Sequence, residues 1–129
     1  MSIRSDALRW FFTTFGDTKN KIYTSKYYTP EESWPKTQVW WLQISFNSID
    51  RSLFDYVNIV CQVAPNKNNF HYLKVPTKFL QEHLGKFHRL EGKISLYLSA
   101  DPKRLFIEER GKGSLDFSIF LVSPKRDSR

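Results

Sequence analysis

The stretch Gln38-Val39-Trp40-Trp41-Leu42-Gln43-Ile44-Ser45-Phe46 decides the fold class. Trp40, Leu42, Ile44 and Phe46 recur at every second position, while Val39, Trp41, Gln43 and Ser45 fall between them. Side chains alternate across a strand, so this spacing predicts a strand with one apolar face in a core. Trp40 and Trp41 then point to opposite sides and cannot share one core. Trp41 needs a second cover, which is a helix by expectation, or else a second copy of the chain or a ligand.

Working outward, the next alternation is Asp55, Val57, Ile59, Cys61 and Val63 against Tyr56, Asn58, Val60, Gln62 and Ala64. One side is nearly all apolar and the other mixed, which suits a central strand. The polar turn Pro65-Asn66-Lys67-Asn68-Asn69 leads into a return strand, Phe70 to Val75. Upstream, Lys21 to Tyr28 is rich in Tyr and Thr and is stopped by Thr29-Pro30. Downstream, Lys93–Ser99, Arg104–Glu109 and Leu115–Leu121 read as strands, separated by Asp101-Pro102 and Gly111-Lys112-Gly113. The last of these is ambiguous with a short helix.

Two helices frame the strands. Leu8, Phe11, Phe12 and Phe15 follow a helical stripe, with Ser5 placed to cap the start and Gly16 to end it. Pro76-Thr77 opens a second helix over 77–87, Thr77 being the expected cap and Phe79, Leu80, Leu84 and Phe87 its apolar side. Short polar turns favour antiparallel neighbours, since parallel ones need long crossovers. The expectation is one α+β domain over 1–122. It has a twisted, mainly antiparallel sheet of five to seven strands, with mixed pairing allowed, packed by the two helices. Residues 123–129 have no apolar side chain and read as a basic disordered tail.

At 129 residues with 40% apolar and 16% aromatic content, the chain suffices for one core rather than two. No apolar run is long enough to span a bilayer, and Met1-Ser2-Ile3-Arg4 does not open an export segment, so no membrane association and a cytoplasmic location are expected. The single Cys61 excludes an internal disulfide.

Chemistry is sparse. His71, His83 and His88 show no metal-ligand spacing, and Cys61 falls on an apolar strand face with no nucleophile motif around it. Gly111-Lys112-Gly113 precedes no helix, so it lacks the amide cradle of a phosphate loop. No catalytic residue, metal or cofactor is expected. The order helix, strands, helix, strand loosely resembles the restriction-endonuclease-like core, whose enzymes hold magnesium with an acid and Glu-x-Lys on successive strands. Here Gln43 and Ser45 stand where that Glu and Lys would be, so the resemblance implies a degenerate relative without an intact catalytic motif; Asp55 is the acid whose change would test a nuclease activity.

The formal charge of +7 points to an anionic partner. Two windows hold bases and no acids: Lys19, Lys21 and Lys26 among Tyr23, Tyr27 and Tyr28, then Lys67, Lys74 and Lys78 among Phe70, His71 and Tyr72. Lysines beside exposed rings are how single-stranded DNA or RNA is held, phosphate on cation and base on ring. The leading expectation is a non-catalytic binding module that contacts nucleic acid through Lys21, Lys26, Tyr28, Lys74 and Lys78. The alternatives are a homodimeric protein-interaction domain built on Trp41, and the degenerate nuclease-like chain.

Overall fold

The computed structural model describes residues 2–122, so the expected tail at 123–129 lies outside the described residues. In chain order the elements are α1 (Ile3–Phe15), β1 (Lys21–Ser25), β2 (Val39–Ser45), β3 (Tyr56–Gln62), β4 (Phe70–Pro76), α2 (Thr77–Glu82), β5 (His88–Leu90), β6 (Lys93–Ser99) and β7 (Leu121–Val122). The described residues form a small α+β domain of two helices and seven strands. The strands divide between two sheets rather than forming one. The first has the order β1-β3-β4-β7, with β1 parallel to β3 and the other pairs antiparallel. The second is antiparallel, in the order β2-β6-β5.

Binary patterning explains the division. Trp40, Leu42 and Ile44 of β2 and Ile94, Leu96 and Leu98 of β6 face Val57, Ile59 and Cys61 of β3 and Leu73 and Val75 of β4 in one buried cluster. Two apolar faces are thus stacked against each other, as in a sandwich. β3 is central, as its two-sided pattern implies. Its other face carries Val60, which meets Phe70, Tyr72, Ala7 and Phe11 under α1. The molecule is layered as α1, first sheet, second sheet, with α2 closing one end through Leu80. Cys61 is fully buried in the core with its thiol unpaired, and burial pushes its pKa far up, which makes it a small hydrophobe. Among the described residues no helix is long and apolar enough to cross a membrane.

Several local details differ from the expectations. α1 begins a turn earlier: Ser2 is the cap, its hydroxyl accepting from the Ser5 amide at 3.0 Å, while Gly16 ends the helix at φ 84° as expected. The buried stripe runs through Ala7 and Phe11, and Phe12 is exposed. Thr77 does not cap α2. Pro76 holds that position, and the Thr77 hydroxyl donates to the carbonyls of Phe54 (2.8 Å) and Asp55 (3.2 Å). α2 stops at Glu82 and continues as a 3-10 turn over Leu84–Lys86. Arg104–Glu109 makes only single bridges, Leu98 to Glu108 and Ile107 to Asp116. The cause is Phe106: a left-handed backbone (φ 65°) breaks the ladder and lays its buried ring on Trp40, with centroids 5.0 Å apart. Leu115–Leu121 is mostly a 3-10 turn (Ser118–Phe120) before the two-residue β7.

A candidate nucleic-acid interface

Neither helix supplies the cover expected for Trp41. α1 packs on β1 and β3 and α2 on β3 and β4; on the outer face of the second sheet Val39, Ser95, Tyr97 and Ser99 are buried, whereas Trp41 is not. Trp41 is 41% exposed there, and Trp34, in the turn leading to β2, is 82% exposed. With Tyr28, Glu32, Tyr97 and Arg110 they line an open cleft of about 360 Å³, with buried Val39 at its floor.

Backbone pairing sets the rings in place. After β1 the chain crosses to the second sheet, where Tyr28 exchanges both amide hydrogen bonds with Val39, at 3.0 and 3.1 Å. The crossing is pinned by the Ser25 hydroxyl, which accepts from the Trp41 amide at 3.1 Å and donates to the Lys26 carbonyl at 2.7 Å. Tyr28 then meets Trp41 edge-on, with centroids 6.2 Å apart. Across the ladder Trp41 pairs with Tyr97, and its indole Nε1 donates to Ser95 Oγ at 3.3 Å. Trp34 is carried by a compact turn in which Ser33 Oγ donates to the Thr37 carbonyl at 2.6 Å and Glu32 accepts from the Thr29 amide at 3.1 Å.

A cation stands at each end of this aromatic row. Lys26 Nζ lies 4.9 Å from the Tyr28 centroid and 2.8 Å from Glu32 Oε2. Hydrogen bonds from Lys26 and from the Thr29 amide hold the Glu32 carboxyl below its usual range. At the other end the Arg110 guanidinium stacks 4.8 Å from the Tyr97 centroid. Its Nη1 donates to Tyr97 Oη (2.9 Å) and Ser95 Oγ (3.4 Å), and its Nη2 lies 3.3 Å from His88 Nε2. Among the described residues no carboxylate oxygen lies within 4 Å of the Arg110 guanidinium nitrogens, so its charge is not neutralised by an ion pair.

Arg110 is positioned from below. The buried Glu108 carboxylate accepts from the amides of Tyr97 (3.0 Å), Arg110 (3.0 Å) and Gly111 (2.8 Å). Desolvation raises its pKa despite those three bonds. Gly111 is required at this point, because a Cβ there would sit 2.0 Å from the Lys86 carbonyl oxygen. The Gly111-Lys112-Gly113 segment is therefore more than a free turn: it is packed against the chain before β5, and Lys112 donates its amide to the same carbonyl at 2.9 Å.

Of the five residues singled out from sequence, Lys26 and Tyr28 lie together at this cleft. Lys21, Lys74 and Lys78 gather elsewhere, around the Phe54-Asp55-Tyr56 corner. Lys21 Nζ is 5.7 Å from the Phe54 ring and Lys74 Nζ 4.4 Å from Tyr56, while Lys78 follows Thr77, which is bonded to that corner, and pairs with Glu82 at 3.9 Å. The corner lies about 15 Å along β1 from Lys26 at the strand's rise per residue. The side chains also divide by face: Lys74 pairs with Asn58 on the α1 side of the first sheet, opposite to the side taken by Lys21, which pairs with Val57. Trp34, Tyr97 and Arg110 were not singled out. Their joining depends on the β2–β6 register, which spans more than fifty residues and leaves no local trace. The one signal in the sequence was Trp34 itself, set beside Pro35 outside any predicted strand.

For the nuclease-like reading, Gln43 and Ser45 are on β2 in the second sheet, while Asp55 is exposed at the corner, 4.0 Å from Lys19 Nζ. Among the described residues no three His, Cys, Asp or Glu side chains gather as a metal-ligating group. The chain matches no protein-family model, and comparisons with curated proteins and with solved structures return no match.

Proposed function

We propose that this protein is a non-catalytic, cytoplasmic binding module that holds single-stranded DNA or RNA in the cleft of Tyr28, Trp34, Trp41 and Tyr97. The observation that carries this reading is the pair of exposed indoles, Trp34 and Trp41, in a cleft that ends in Arg110, a guanidinium without a carboxylate partner among the described residues. Unpaired bases stack on exposed rings at about 1–3 kcal/mol each, and guanidinium binds phosphate through paired N–H donors. Trp34 and Trp41 supply the stacking surfaces, Arg110 and Lys26 the phosphate contacts. Duplex DNA fits less well, since its bases are already stacked and the cleft presents no helix for a groove. The cytoplasmic assignment rests on the single, unpaired Cys61.

A second reading takes the same two exposed indoles as a homodimer contact, since aromatic side chains are enriched at such interfaces. Anisotropy of labelled oligonucleotides near 50 mM salt, with light scattering on the same sample, separates the readings. Binding by a monomer supports the module. A stable dimer that retains no oligonucleotide supports the second reading. Magnesium-dependent cleavage that is lost in Asp55→Ala would reject both in favour of a nuclease.

A further inference from the structure

A second pocket lies on the opposite side of the first sheet, away from the aromatic cleft. It encloses about 270 Å³, enough for several waters at about 30 Å³ each or for one small organic ion. Phe11 and Phe15 of α1 wall it, and both rings also pack on Tyr72, with centroids 5.0 and 4.8 Å away.

Its floor has an unmet hydrogen-bonding demand. Asn58, in the middle of β3, is 2% exposed, and its Oδ1 accepts from the Tyr72 hydroxyl at 2.5 Å. Its Nδ2 is buried and has no partner. Turning the amide over does not remove the deficit, because Tyr72 can satisfy only one end. A buried amide left unpaired forfeits its hydration without compensation, so such a group in a cavity wall marks a place for an acceptor. The residue directly across the ladder is Lys74, on the same face, which puts the two Cβ atoms about 5 Å apart. Lys74 Nζ rests over the Tyr56 ring, and among the described residues no carboxylate pairs with it within 4 Å. Asp17, on the rim, leaves the wall mixed in charge and disfavours a highly charged anion.

We propose that this pocket binds a small oxyanion, a carboxylate or phosphate group, which accepts from Asn58 Nδ2 and pairs with Lys74 Nζ against the rings of Phe11 and Phe15. An acceptor oxygen ends the amide's deficit, and its charge meets the free ammonium. The site shares no residue with the aromatic cleft and stands whether or not nucleic acid binds there.

The test is a pair of 15N NMR titrations, sodium acetate in one and inorganic phosphate in the other, with sodium chloride at matched ionic strength as control. The expected result is a saturable shift of the Asn58 side-chain NH2 pair in at least one arm, and the arm that responds names the anion. Lys74→Ala, at an exposed position, weakens the effect at least fivefold, whereas Trp34→Ala leaves it unchanged. Asn58→Leu, if folded, removes the deficit and loses anion-dependent thermal stabilisation. Shifts absent from both arms, or no larger than in chloride, overturn the proposal and leave the pocket to water.

Discussion

The indole Nε1 of Trp40 donates a 2.7 Å hydrogen bond to the backbone carbonyl of Gln62, tying the second sheet to the last residue of β3 in the first. The Gln62 side chain extends the tie, its Oε1 accepting from the Tyr27 amide at 2.9 Å and its Nε2 donating to the Lys67 carbonyl at 3.0 Å. One residue on, Trp41 faces out into the cleft. Two adjacent tryptophans therefore have separate roles. Trp40→Phe loses the inter-sheet bond and leaves a void beside Phe106, and is expected to cost about 2–4 kcal/mol in urea unfolding. Trp41→Ala removes a partly exposed ring and is expected to cost less than about 1.5 kcal/mol by the same measurement. Equal losses would mean that the two faces are wrongly assigned.

His71 sets a pH limit. Its ring lies edge-on to Trp40 and Phe106, at 5.6 and 5.3 Å, and burial holds its pKa below the usual 6.5. A base depressed in the folded state contributes stability above its unfolded value and loses it as pH falls through the folded one. Unfolding free energy is expected to fall as pH drops below 6.5 in the wild type. His71→Phe should show a shallower decline over that window, because phenylalanine does not titrate. Parallel curves would show that His71 is not the group responsible.

Glu108 behaves in the opposite sense. Its pKa is raised from 4.5, so its favourable contribution is full below that value and is lost as pH rises through the folded one. The stability of wild type minus that of Glu108→Gln is thus expected to shrink from pH 4 toward neutrality. Glu108→Ala leaves the amides of Tyr97, Arg110 and Gly111 without their acceptor and is expected to cost about 3 kcal/mol or more at pH 7. A neutral alanine variant would show that those amides find water.

The alternation in 38–46 and 55–64 made the α+β class, the central position of β3 and the two faces of β2 legible, because strand period is local information. The partition into two sheets was not legible. It depends on which apolar face stacks on which, and any pairing of those faces would satisfy the pattern. Phe106 shows the limit most clearly: its left-handed backbone is forced by packing on Trp40, some sixty-five residues away, and overrides a segment that alternates like a strand. For the site, Lys26 and Tyr28 were within reach because they are two residues apart. Arg110 was not, since its place beside Tyr97 depends on the carboxylate of Glu108 and on a glycine pressed against the Lys86 carbonyl.

The central claim is that unpaired bases stack in the aromatic cleft, and not at the lysines of the Phe54–Tyr56 corner. It is tested most directly by titrating a labelled oligouridine or oligothymidine into wild type, Trp34→Ala, Arg110→Gln and Lys74→Ala at two salt concentrations. The expected result is a loss of about 5- to 150-fold for Trp34→Ala, the equivalent of about 1–3 kcal/mol for one stacked base. Arg110→Gln should also lower the salt slope by about 0.7, as one lost phosphate contact requires, and Lys74→Ala should bind like wild type. Unchanged binding by Trp34→Ala and Arg110→Gln, with loss confined to Lys74→Ala, would contradict the account.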